Sequence, residues 1–239
     1  GAVYGVYLSS TCTNGTVASN TLSGFTSAGS TLMGMYIGAG TSNVNKNKIV
    51  NFNSTNATTP IVSGINVALN NANLTNNIIG DLRATAANSA SGIAPSVRGV
   101  NITSATANTN INLYHNTIYL SATSTGANYS TAGVFATNSV TATTARLKMI
   151  GNIVVNLSTP NGTGIVSAYT RSAAGLNNFD LSSNNNLYYG GVAATNGGNS
   201  SFTGTGVTTL TANGGAATAG AAGTASGGDV NIDGMVGGA

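Results

Sequence analysis

The chain has 239 residues, enough for a sizeable core, yet only 5% are charged, against roughly 25% in an ordinary soluble domain. There is no glutamate, the acids are Asp81, Asp180, Asp229 and Asp233, and the net charge of +3 comes from seven scattered Lys and Arg residues. Without a basic cluster to displace phosphate counterions a nucleic-acid binder is excluded, and no apolar run approaches the ~18 residues of a membrane-spanning helix.

From the N-terminus onward the chain repeats itself. A glycine followed by an apolar residue recurs at Gly5, Gly34, Gly64, Gly99, Gly133 and Gly164, at intervals of 29, 30, 35, 34 and 31 residues. Each copy is followed by an asparagine signature, at Asn20, Asn47, Asn77, Asn116, Asn152 and Asn186. A period near 30 residues with two strand signals per unit predicts a solenoid. In the third unit, apolar residues at 61, 65, 67 and 69 give the period of two of a half-buried strand, and Leu74–Leu82 gives a second strand. The fourth unit repeats this with Val97, Val100 and Ile102, then Ile111, Leu113, Ile118 and Leu120. The fifth uses Val134, then Leu147, Met149, Ile153, Val155 and Leu157. No segment keeps a 3.6-residue period, so almost no helix is expected.

Units this thin bury an apolar face only by stacking in parallel, about 4.8 Å apart. The repeat asparagines Asn47, Asn77, Asn116, Asn152 and Asn186 then suit sharp corners, where a left-handed backbone is needed, and can form an amide ladder along the axis. The repeat glycines Gly34, Gly64, Gly99, Gly133 and Gly164 suit places where a side chain would clash with the neighbouring coil. Residues 1–194 form the expected coils, and the largest corner insertions are Arg83–Ser96 and Arg171–Ser182. Residues 195–239 are a Gly/Ala/Thr-rich tail, read as a weak seventh coil around Gly206–Leu210 or as a segment that orders against another subunit. The chain begins at Gly1 with no signal peptide, as a processed product or a piece of a larger protein would.

Few residues offer chemistry. Lone Cys12 rules out an internal disulfide and reads as a buried or adventitious thiol. Asp81 and Asp180 fall in different units, roughly three coils or ~14 Å apart, which exceeds a glycosidase carboxylate pair. His115 precedes a ladder asparagine at a variable position and reads as a corner residue. Asp229, Asn231 and Asp233 match the first half of a calcium loop, whose bidentate carboxylate would fall one residue past Ala239. The threonines fall in irregular loops rather than in the strict rows of an ice-binding face, and most Asn-x-Ser/Thr sequons follow from composition alone. Tyr114, Tyr119, Tyr129, Tyr169, Tyr188 and Tyr189 are candidates for an aromatic face toward carbohydrate.

The stretches Asn152–Gly164, Ala168–Ser172 and Ser183–Tyr189 resemble the right-handed parallel β-helix repeats of large secreted surface proteins of Bacteroidota-type bacteria. The likeness covers roughly residues 30–190. It implies export and a structural or adhesive role at the cell surface. The expectation is therefore an all-β protein, a right-handed parallel β-helix of six to seven coils that is not an enzyme and takes no cofactor. It would build an extracellular fibre by assembling head to tail with copies of itself or with the rest of a longer parent chain. The alternative is a carbohydrate-binding or carbohydrate-degrading module that meets surface glycans through one flank.

Overall fold

The computed structural model describes residues 1–38, 40–88 and 94–191 in full, and three later strands by their backbone. The chain forms two compact units, Gly1–Gly191 and Val192–Ala239. The first unit is all β and consists of stacked parallel sheets, a parallel β-helix of six coils.

Each coil carries three strand positions rather than two. Sheet A stacks β1 (Ala2–Leu8), β4 (Thr31–Ile37), β7 (Ile61–Val67), β11 (Val97–Ile102), β14 (Thr131–Ala136) and β17 (Val166–Arg171). Sheet B stacks β2 (Asn14–Ala18), β5 (Thr41–Asn45), β8 (Asn71–Thr75), β12 (Asn110–Tyr114) and β15 (Arg146–Ile150). Sheet C stacks β3 (Thr21–Ser27), β6 (Lys48–Ser54), β9 (Ile78–Gly80), β13 (Thr117–Leu120), β16 (Ile153–Asn156) and β18 (Leu187–Gly190). A short β10 (Leu82–Ala84) extends sheet C beside β6.

The segment read from sequence as one strand over Leu74–Leu82 is broken twice, at Asn76 (φ 55°) and at Asp81 (φ 46°). Periodicity is silent about such corners, because apolar residues alternate on both sides of them. The left-handed residue at the first corner is the one before the ladder asparagine. Ser19, Lys46, Asn76, His115, Gly151 and Asn185 all hold φ between 54° and 65°. The sequence reading gave that conformation to the asparagine itself, and the structure moves it one residue back.

Inward-facing Ile, Val, Leu and Met from all three sheets form one core running along the axis, with Ile65, Leu74 and Ile79 essentially without exposure. In the sixth coil sheet B ends: only the isolated bridges Leu147–Phe179 and Ile150–Asn184 continue it. The expected seventh coil is not parallel. β20 (Val207–Ala212) pairs antiparallel with β19 (Ser200–Gly204) and with β21 (Ala225–Ser226). Asp229, Asn231 and Asp233 lie outside the described residues.

Candidate functional site

The repeat asparagines form a continuous ladder at the corner between sheets B and C. The side-chain amide of Asn47 donates from Nδ2 to Asn77 Oδ1 at 3.0 Å, and its backbone N–H donates to the same oxygen at 3.1 Å. Asn77 does the same to Asn116 at 2.9 and 3.0 Å, Asn116 to Asn152 at 3.0 and 3.0 Å, and Asn152 to Asn186 at 2.8 and 3.0 Å. Asn20 joins at the N-terminal end through the same pair of bonds to Asn47 Oδ1. The second amide proton of each interior rung is also used. Asn47, Asn77, Asn116 and Asn152 donate at 2.8 Å to the carbonyls of Val17, Val44, Leu74 and Leu113 on the preceding coil. These four side chains are at most 1% exposed, so every bond replaces one that water cannot make.

The glycines do a different job. At Gly34 and Gly64 an added Cβ would lie 2.5 and 2.7 Å from the carbonyl oxygen of the next coil's glycine. It would also meet the apolar residue two positions after the ladder asparagine, Ile49 or Ile79, projecting inward from sheet C. Gly99 faces Ile118 and Gly133 faces Val154 in the same way. Each glycine is therefore a notch and each Ile or Val the peg that fills it, which joins the two sequence signatures into one contact.

Gly164 is outside this row. The register pairs Ala132 with Ser167 and Val134 with Tyr169, so Ala168 stands opposite Gly133. Gly164 sits before β17, where a Cβ would run into the Tyr129 carbonyl. Sequence reasoning took Gly164-Ile165 for the sixth copy because it repeats the Gly-plus-apolar pair. The available signal was spacing: Gly164 to Asn186 is 22 residues, the longest such interval, whereas Ala168 to Asn186 is 18.

The acidic residues are held separately. Asp81 pairs with Arg83 at 3.1 Å on the surface. Asp180 pairs with Arg146 at 3.3 Å and accepts bonds from Ser182 Oγ (2.7 Å) and Ser182 N–H (2.9 Å). The Ser182 hydroxyl, then its backbone N–H, hold the Asp180 carboxyl below the usual carboxylate range. Arg146, Asp180 and Ser182 help line an open cleft of ≈ 590 Å³ together with Phe179 and Leu181. Among the described residues no second acid stands beside this arginine-bound carboxylate, and no group of three His, Cys, Asp or Glu side chains is placed to hold a metal ion. His115 is exposed at a corner (φ 57°), its ring lying over Gly151 of the next coil. Cys12 is half-buried and its thiol donates to the Asn14 carbonyl at 3.3 Å.

The candidate tyrosines do not share one face. Tyr129 is wholly buried and its hydroxyl has no partner among the described residues, and burial pushes that phenol well above its ordinary range. Tyr169 packs against Phe179, and Tyr188 donates to Met149 Sδ at 3.6 Å. Burial, and then Tyr169, push the Tyr188 phenol up to about 12. Tyr119 and Tyr189 are exposed in one column of sheet C, two coils apart with Val155 between them. Tyr114 projects from sheet B in register with Ile150.

Two features escaped the sequence reading. Tyr4, Tyr7 and Tyr36 form an aromatic cluster on the outer side of sheet A, with Tyr7 and Tyr36 stacked at 4.8 Å and 9°. Arg98 is a buried guanidinium that donates to the carbonyl of Pro95 and to Asn101 Oδ1, both at 2.8 Å, and lies 4.2 Å above the Phe135 ring. Burial lowers its pKa to about 10, still far above neutrality. Searches of known protein families, curated proteins and solved structures return no match to this chain.

Proposed function

We propose that the chain is a non-enzymatic structural module of an extracellular or cell-surface fibre, a stiff rod that associates through its ends. The observation that carries this reading is the ladder from Asn20 to Asn186, which ties six coils together with amide bonds that are buried from Asn47 to Asn152. Such a ladder resists bending because each rung is bonded both to its neighbour's side chain and to the preceding coil's backbone. A surface of neutral Asn, Thr and Ser suits a protein that is exposed and adhesive rather than steered by charge. Antibody labelling of intact source cells tests the reading. Surface label that is lost on mild proteolysis is expected, whereas a wholly internal pool, or turnover of a polysaccharide by the purified chain, overturns it.

A second reading is favoured by the outer face of sheet C. Ile78, Tyr119, Ile153, Leu187 and Tyr189 project there, each 46–52% exposed, with the two phenol rings ~10 Å apart along the axis. Aromatic rings at that spacing suit stacking against sugar rings of a neutral glycan. Glycan arrays probed with the wild type and with Tyr119→Ala/Tyr189→Ala decide it, and equal signals from the two proteins exclude this face.

A further inference from the structure

Sheets B and C present opposite outer faces. Sheet B turns out Asn43, Asn73 and Asn112, whose amides bond to one another at 3.0 and 2.8 Å. The sheet C strands of coils three to six, β9, β13, β16 and β18, carry no charged residue. Their outward side chains form two rows along the axis. One row is Ile78, Thr117, Ile153 and Leu187, and the other is Gly80, Tyr119, Val155 and Tyr189. Ile78, Tyr119, Ile153, Leu187 and Tyr189 are about half exposed, as is Leu157, one residue past β16. Large apolar side chains gathered on one face mark a contact surface, which singly scattered ones do not.

In the second row small and large residues alternate from coil three to coil six: Gly80, Tyr119, Val155, Tyr189. Apart from its chain neighbours, only the Tyr119 carbonyl comes within 4 Å of where a Gly80 Cβ would be, so a gap stands open over this glycine. A two-fold axis along the strands, between coils four and five, lays a second sheet C on the first with the rods antiparallel. It sets coil three against coil six and coil four against coil five. Tyr119 then faces Val155 of the other copy, and Tyr189 faces Gly80. In the first row Ile78 faces Leu187 and Thr117 faces Ile153. Inner faces of packed sheets interdigitate in this way across ~10 Å. Lys48, next to Ile78 on coil two, falls outside the four coils in contact.

We propose that two copies of this chain pair flank to flank through the outer faces of sheet C, antiparallel and in this register. Six half-exposed side chains at roughly 200 Å² each give ~600 Å² a copy and ~1,200 Å² for the pair, the lower end of specific interfaces. A sugar would stack on the two rings but set its hydroxyls against Ile78, Ile153 and Leu187, which favours an apolar partner. The face runs along the rod, so pairing leaves both ends as they are and makes a fibre thicker without closing it. The inference goes beyond the fibre reading and stands without it.

Small-angle X-ray scattering on the full chain over a concentration series tests it. The mass should double while the length stays that of one rod and the cross-section grows. Ile153→Lys should stay a single copy with an unchanged β circular dichroism spectrum. Val155→Tyr, which sets ring against ring, should also stay single. Tyr119→Val/Val155→Tyr, which restores large against small, should pair again. A wild type that stays single at every concentration overturns the pairing, and so does a doubling of length. Ile153→Lys that still doubles would show another face at work, and Val155→Tyr that pairs like the wild type would remove this register. A single-copy wild type whose glycan-array signal is lost in Tyr119→Ala/Tyr189→Ala would give the face to a sugar. Surface labelling bears on none of these masses, so the fibre reading and the pairing fail independently.

Discussion

In the third to fifth coils the pegs Ile79, Ile118 and Val154 are at most 1% exposed above a glycine, while in the sixth Tyr188 is 44% exposed above Ala168. The sixth coil keeps its ladder rung, Asn186, and its strand pairings in sheets A and C. Tyr188 is a larger side chain on β18, the last strand of sheet C, and its exposure goes with that size and end position while hydrogen bonding continues. The difference teaches that in this fold the glycine is chosen by the strand across the core and by the coil above it. It is not chosen for backbone freedom: no notch glycine has a positive φ, whereas Gly24, Gly151 and Gly162 do.

The sharpest way to break the comparison is to exchange the notch residues. Gly99→Ala would drive a Cβ against the Gly133 carbonyl and the Ile118 side chain, both held in a packed interior. It should cost about 3 kcal/mol or more, at the upper end of overpacking, in urea denaturation. Ala168→Gly should change stability by about 1 kcal/mol or less, the ordinary Ala-to-Gly difference. Equal losses at the two sites would mean that the notch does not explain the glycines.

Ladder rungs come next. Asn77→Ala would strand the buried Val44 carbonyl and the two donors of Asn47, so a loss of about 2–4 kcal/mol is expected. Asn186 is only partly buried and ends the ladder, and Asn186→Ala should cost about 1 kcal/mol, water replacing the lost bonds. Matching values would show the ladder to be uniform, against the graded burial seen here. Tyr129→Phe removes a buried hydroxyl that has no partner among the described residues, and should leave stability unchanged or raise it by up to about 1 kcal/mol.

The smallest effect concerns acid. The Asp180 carboxyl is held below its ordinary value of 3.8 in the folded chain, so the stabilisation it brings is present above that pH. It is lost as pH falls through the folded value. Below about pH 4 the wild type should lose stability more steeply than Asp180→Asn, followed as melting temperature against pH. Parallel curves would place the bonds from Ser182 among those that do not affect folding.

The parallel stacking, the coil count and the ladder were legible because they rest on like residues recurring at a fixed spacing. Asn47 to Asn186 needed only alignment of the repeats. The third strand position was not legible. Sheets B and C meet at residues as dissimilar as Lys46, His115 and Gly151, which share a φ value rather than a side-chain type. Ala168 was hidden for the opposite reason: Gly164-Ile165 reproduces the signature a few residues early, and only strand register separates the decoy from the true position. Tyr4, Tyr7 and Tyr36 come together across coils one and two because Tyr7 and Tyr36 are register partners. Scanning for an aromatic face among the later tyrosines alone missed them.

The Asn20–Asn186 ladder has an electrical consequence. From Asn20 to Asn152 each side chain donates one amide proton to the next rung, and from Asn47 to Asn186 each oxygen accepts from the rung before, so six amide dipoles point the same way. At ~3.5 D each they sum to ~20 D, with the oxygen-bearing negative pole at coil one. That moment equals one elementary charge displaced by about 4 Å, so the ladder adds a small fixed bias along its axis beside the larger field of the formal charges.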